Sequence, residues 1–285
     1  MALVLLGIVV LRLWIMPIGS SFWVDEAGTF WMVKDGIPQL LHKMLEWPSP
    51  MTPFYGLVAW AAYWAGGARE YVLRLPSVLA IALSSLLLFR LSRRLFGKAS
   101  AFPAAVVFIC SKEVAFSSCD ARPYAFLLLF TVAATLALCV WLETGAARHG
   151  AVYLGLAALM AYTHYLGSVV WCAHACYALV RLREGSRVQA KHLMVACAAL
   201  GTLVAPLAPF LLRLFASRSA HNFSKTPNPE ALAAALAPPV LIAAVALGVL
   251  AARIIYGPVA FRGETKRSAF VLALTLWAIP LRNRD

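Results

Sequence analysis

Apolar runs close to bilayer length recur along this chain, and they leave it few ways to fold. They fall near residues 1–18, 72–91, 99–116, 124–142, 151–166, 168–181, 193–212 and 232–252, with a last apolar stretch from Ala269 to Pro280. A helix needs about 20 mostly apolar residues to cross the hydrocarbon core. Of the 285 residues, 62% are hydrophobic and only 13% are charged, too few to solvate a globule of this size. The fold class read from this pattern is an all-α polytopic membrane protein. It is expected to have about eight or nine transmembrane helices in one transmembrane domain spanning residues 1–285. The first run lacks a basic start and carries Arg12 inside it, so an uncleaved first span is expected.

The net charge of +13 would suggest nucleic acid in a soluble protein. Here the basic residues gather in short loops near 90–98, 181–191 and 253–267, so they read as topology signals and contacts to anionic membrane lipid, with no nucleic-acid partner. If those loops are cytoplasmic, the loops at 19–71, 117–123, 163–168 and 213–230 share the opposite face. That face then carries Asp25, Glu26, His42, Glu46, Asp120, Arg122, Tyr124, His164, Tyr165 and His221. The expected location is a cell membrane, that of a bacterial inner membrane, with the site extracytoplasmic.

The segment 19–71 reads as an extracytoplasmic loop built from interfacial helices. Ala27 to Lys34 and Pro38 to Glu46 are expected to be helical, broken at Gly36-Ile37-Pro38, with an apolar stripe opposed by Lys34, Asp35, His42, Lys43 and Glu46. A Pro-rich turn follows at 47–53. Phe54 to Ala65 is then an aromatic helix too short to span.

Two adjacent acids, Asp25 and Glu26, stand directly behind the first span, where desolvation is costly. One reading is helix capping, since acids favour the positive end of the dipole. The other is chemistry. Sugar transfer from a lipid phosphate needs a carboxylate base, cations for the phosphate leaving group and an opening for the lipid tail. Asp25 supplies the first, with Glu26 beside it. Arg122, Arg74 and Arg69 supply the second through bidentate guanidinium contacts, and the interfacial helices frame the third. His164, Tyr165, Asp120 and Tyr124 are substrate-binding candidates, although His164 also reads as a packed interfacial histidine, and Arg122 as an interface anchor or ion-pair partner of Asp120. His42 and Glu46, one turn apart, are weak metal candidates against a solvated helix face. The six cysteines contain no CxxC pair, and His174 lies off the face shared by Cys172 and Cys176.

In order, WVDEAGTFW (23–31), SPMTPFYGLVAW (49–60), REYVLRLPSVL (69–79), RRLFGKASA (93–101), SSCDARPYAF (117–126) and THYLG (163–167) resemble the GT-C fold glycosyltransferases. These are the glycosyltransferase family 39-like proteins, namely the protein-mannosyltransferase-like and aminoarabinose-transferase-like enzymes. The resemblance covers about residues 10–170. It implies inverting transfer from a polyprenyl-phosphate-linked sugar, with Asp25 as general base and Asp120, Arg122 and Tyr124 lining the same cavity. Some members carry a divalent metal near the site. Met51-Thr52-Pro53 stands where relatives often have His-Pro-Pro, so no metal or donor contact is expected from that turn. Relatives are usually longer, so a fragment or a short form is expected. The competing readings are a transporter or flippase of lipid-linked sugars and an inactive scaffold of the same fold. A transporter should show internal repeats and mid-span polar groups, and neither is evident here.

Overall fold

The computed structural model describes residues 11, 16–46, 52–216 and 267–278. The expected spans at 1–18 and 232–252, and His221, lie almost wholly outside these residues. Among the described residues the structure is helical, without strands. Three helices precede the spans: α1 (Val24–Val33), α2 (Ile37–Glu46) and α3 (Pro53–Gly66). Gly36 makes the break between α1 and α2 with a φ of 93°, a conformation that favours glycine. The three helices share a small core of Met32, Val33, Leu40, Met44, Tyr55 and Ala59. This matches the expected loop of short helices, except that α1 starts at Val24, three residues earlier than expected. Asp25 and Glu26 therefore lie in its first turn.

The main bundle follows: α4 (Glu70–Phe96), α5 (Lys98–Cys110), α6 (Lys112–Ser118), α7 (Tyr124–Thr144), α8 (Ala147–Thr163), α9 (Val170–Arg183), α10 (Ala190–Val204), α11 (Ala208–Ala216) and α12 (Arg267–Ala278). Among the described residues four stretches are long and apolar enough to cross a membrane: Glu70–Phe96, Tyr124–Thr144, Tyr165–Arg183 and Ala190–Ala216. A fifth counts if the pair α5 and α6, bent by 65°, is one span. The continuous span expected at 99–116 is thus broken. Ser111 ends α5, and its Oγ accepts the Val114 N–H at 3.3 Å to start α6. The stretch expected at 151–166 is the 17-residue helix Ala147–Thr163.

α7 is the centre of the bundle. It packs on α4 and α8, and contributes Ala125, Phe130, Leu138 and Leu142 to the main core. The α7–α8 turn is tight because Gly145, at φ 69°, caps α7 and returns its N–H to Trp141 O at 2.8 Å. Antiparallel packing divides the bundle into two ends. One gathers the last turns of α4, α7 and α9 with the first turns of α5, α8, α10 and α12. Ion pairs Arg94–Glu143 (2.5 Å) and Arg181–Glu184 (3.5 Å) sit there, and Glu184 also accepts from Ser268 Oγ (2.6 Å). The other end gathers the starts of α4 and α7, the end of α8 and the helices α1–α3.

Candidate active site

Glu26 and Arg74 organise that second end. Both are buried, at 0% and 2% relative exposure. Arg74 donates Nε to Glu26 Oε1 at 2.7 Å and Nη2 to Oε2 at 2.5 Å. Glu26 also accepts the Ala121 N–H at 2.8 Å and the Trp23 N–H at 3.3 Å. Arg74 Nη1 reaches Ile18 O (2.9 Å) and Ser20 O (2.6 Å), and Nη2 reaches Ser21 O (3.2 Å). One ion pair thereby joins the segment before α1, α1 itself, α4 and the turn before α7. Removing one partner of such a pair costs about 3–5 kcal/mol, because a charge is left buried alone. The arrangement bears on two expectations. Arg74, expected to contact substrate phosphate, has its guanidinium committed to the protein. Glu26, expected beside the base as a catalytic group, is sealed and caps α1 through the Trp23 N–H.

Asp25 behaves differently. Its side chain is 44% exposed, and Oδ2 lies 3.6 Å from Arg122 Nη2. Capping therefore accounts for Glu26, while Asp25 turns to Arg122. Asp120, expected as the ion-pair partner of Arg122, instead accepts Trp23 Nε1–H on Oδ1 at 3.1 Å. Burial raises its pKa to about 7. The Trp23 hydrogen bond opposes the shift, and the neighbouring Glu26 charge adds to it. Ser77 Oγ fixes the turn by donating to Asp120 O at 2.7 Å.

His164 closes the site from the end of α8. It is 3% exposed, and its ring stands 5.7 Å from that of Tyr124. Nδ1 accepts the Leu166 N–H at 3.2 Å, which puts the proton of the neutral ring on Nε2. Burial first, then the Arg122 charge, lowers its pKa to about 4. His164 is thus neutral near pH 7 and serves as a hydrogen-bonding group, not a cation. Tyr165 is half-buried in the following turn and lies on the same end.

Sequence reasoning missed three residues. Trp23 holds Asp120 and packs edge-on against Phe116 at 5.8 Å. Lys112, exposed at the start of α6, lines a cavity of about 420 Å³ together with Ser20, Trp23, Glu26, Arg74 and Asp120. Tyr55, on α3, is 1% exposed, and its hydroxyl lies beside Ser77. Burial pushes its pKa up, and the Asp120 charge adds to this. The aromatic flank of the Asp25-Glu26 pair was a signal for Trp23, and a lysine inside an apolar run was one for Lys112. Tyr55 carried none that sets it apart from its aromatic neighbours.

The family resemblance brings in a divalent metal, and the donor set speaks to it. Among the described residues no three His, Cys, Asp or Glu side chains come together. His42 Nδ1 and Glu46 Oε2 stand 3.2 Å apart on an exposed face of α2 and satisfy each other. Cys172 and Cys176 are exposed while His174 is buried against Thr135, so they share no site. Among the described residues, then, no set of side chains fits a protein-held metal.

A bundle with membrane-length helices thus carries a cluster of carboxylates and guanidiniums at one end. The family model for dolichyl-phosphate-mannose-protein mannosyltransferases matches residues 49–211, more than half of the chain. The chain belongs to that family, and is a membrane glycosyltransferase of the mannosyltransferase-like class. No curated protein and no solved structure matches it. The matched span holds Arg74, Asp120, Arg122, Tyr124, His164 and Tyr165, and begins after Asp25.

Proposed function

We propose that this protein transfers a sugar from a polyprenyl-phosphate donor to an acceptor on protein, lipid or cell-envelope glycan. Transfer inverts the anomeric centre, on the extracytoplasmic face of a bacterial inner membrane. The observation that carries the reading is the pairing of half-exposed Asp25 with Arg122, held by the buried Glu26–Arg74 pair. Asp25 accepts the proton of the acceptor hydroxyl or amine as that atom bonds to the anomeric carbon. The bond from that carbon to the phosphate oxygen breaks, and polyprenyl phosphate leaves with the electron pair. Arg122 neutralises the phosphate charge as it develops, and Lys112 adds a second cation nearby. Glu26 and Arg74 position the segment that carries Asp25, through the ion pair that ties α1 to α4.

An apolar groove of about 590 Å³ between α3, α4 and α7 supports a lipid donor. Ala62, Gly66, Val72, Leu75, Leu79 and Leu83 line it, and it begins at the end of the bundle that holds Asp25. The excess of Lys and Arg at the opposite end supports the extracytoplasmic assignment through the positive-inside rule.

Membranes expressing the chain should transfer label from a radiolabelled polyprenyl-phosphate sugar. Asp25→Asn should abolish transfer and leave the amount of folded protein unchanged. Glu26→Gln should instead lower the yield of folded protein. Full transfer by Asp25→Asn would sink the assignment of the base.

A further inference from the structure

The first turns of α4 separate two openings. The apolar groove takes Tyr71, Val72, Leu75, Pro76 and Leu79 from this helix. At about 100° per residue these share one side of α4, and Arg74 and Ser77 fall on the other. Ser77 Oγ ties that other side to the Asp120 carbonyl at 2.7 Å, and Arg74 lines the cavity of about 420 Å³. A lipid donor in the groove leaves this second opening to the other substrate. Its lining speaks to the chemistry of that substrate. Trp23 and Phe116 both line it and meet edge-on, with ring centroids 5.8 Å apart at 67°. Both stay open to solvent, at 43% and 41% exposure. Two open rings at a steep angle make an apolar corner whose ring faces are electron-rich. The C–H face of a sugar ring fits such a corner, and a serine or threonine side chain has no comparable face. Asp120 lines the same cavity, and its Oδ2 is sealed from solvent without a partner. Buried polar atoms are almost always hydrogen-bonded, so this oxygen asks for one. A sugar hydroxyl serves it in either protonation state, because a hydroxyl both donates and accepts. Arg74 does not compete for the ligand, since Glu26 and backbone carbonyls take its guanidinium.

We propose that this cavity binds the acceptor, and that the acceptor is a glycan whose terminal sugar packs on Trp23 and Phe116 and hydrogen-bonds Asp120. The proposal rests on the polyprenyl-phosphate-donor reading above and narrows its acceptor classes to one. Trp23 and Asp25 lie two residues apart at the start of α1, which sets a sugar held on Trp23 beside the base. The attacking hydroxyl oxygen bonds to the anomeric carbon, its proton goes to Asp25, and polyprenyl phosphate leaves with the electron pair. Phe116 is the residue to vary, because Trp23 also holds Asp120. Phe116→Leu removes the ring and keeps an apolar side chain, and Phe116→Tyr keeps the ring.

The test uses the full chain in membranes of its own cells, with radiolabelled polyprenyl-phosphate sugars as donors. The labelled product is split into protease-sensitive and protease-resistant material, and the acceptor fraction is extracted and titrated back. Label should enter protease-resistant glycan. Phe116→Leu should raise the acceptor KM about three- to tenfold, the scale of one aromatic contact, and leave the donor KM and the thermal unfolding temperature unchanged. Phe116→Tyr should restore the acceptor KM. Label confined to polypeptide overturns the glycan acceptor. An unchanged acceptor KM in Phe116→Leu, or a raised donor KM in its place, overturns the assignment of the cavity. In each of these cases the transferase reading stands. Neither transfer nor release of free sugar from any donor overturns the reading and the acceptor site together.

Discussion

Two buried titratable side chains at the site pull stability in opposite directions with pH. Asp120 has its pKa raised to about 7 by burial. The fold prefers its neutral form, so its contribution is fully present below about pH 4 and is lost as pH rises to about 7. His164 has its pKa lowered to about 4 by burial and by Arg122. Its contribution is fully present above about pH 6.5 and is lost as pH falls towards 4. At about 1.4 kcal/mol per unit the two are worth roughly 4 and 3 kcal/mol. Between pH 4 and 6.5 they nearly cancel, and above 6.5 only Asp120 still titrates. The unfolding temperature of the purified protein in one detergent should stay level to about pH 6.5 and then fall. Asp120→Asn should convert this to a rise that levels off near 6.5, and His164→Gln to a fall throughout. A wild-type curve that rises between pH 6.5 and 7 would contradict the Asp120 assignment, and a His164→Gln curve that stays level below 6.5 would contradict that of His164. These residues were legible because each lies in a short loop at the end of an apolar run, on the face shared with Asp25. The roles of Glu26 and Arg74 were not, since a pair 48 positions apart in the chain leaves no local trace. In the structure the two pair with each other, and whether either also takes part in chemistry is a separate question from that contact.

At the scale of elements, apolar runs located the spanning helices and misjudged their ends. α4 was expected to stop near residue 91 and continues to Phe96. Its backbone goes on hydrogen-bonding past the apolar run, where Arg90, Arg93 and Arg94 are exposed and Arg94 pairs with Glu143. Ser111-Lys112-Glu113, a polar triplet inside the run at 99–116, marked the break between α5 and α6, but hydropathy averaged over the run hides it. How closely α7 and α8 approach was not legible either, because it depends on one glycine. A Cβ on Gly150 would stand 2.9 Å from the Trp141 ring, which is buried and stacked on Tyr153 at 6.0 Å. Gly155, on the same helix, has nothing within 4 Å of that position. Both Gly→Ala changes gain the same helix propensity, so their difference isolates the clash. Gly150→Ala should be less stable than Gly155→Ala by about 1–3 kcal/mol. Thermal unfolding of the two variants side by side measures it, and equal values would mean that Trp141 moves aside freely.

Across the whole molecule, charge separates the two ends of the bundle. Among the described residues, Arg90, Arg93, Arg94, Lys98, Arg148, Arg181, Arg183, Arg187, Lys191 and Arg267 gather at one end, opposed only by Glu143 and Glu184. The other end balances its cations with Asp25, Glu26, Asp35, Glu46, Glu70, Glu113 and Asp120. An excess of Lys and Arg in short loops stays cytoplasmic, so the site should face the other way. Val24 is 83% exposed beside Asp25, and Lys191 is exposed at the start of α10. With the six native cysteines replaced, Val24→Cys should react with a membrane-impermeant maleimide in intact spheroplasts. Lys191→Cys should react only after permeabilisation. The opposite pattern would turn the site towards the cytoplasm. The ion pairs around Asp25 would stand, but the donor would then have to present its sugar on the cytoplasmic leaflet. Labelling of both positions in intact cells would mean that charge does not set the orientation of this chain at all.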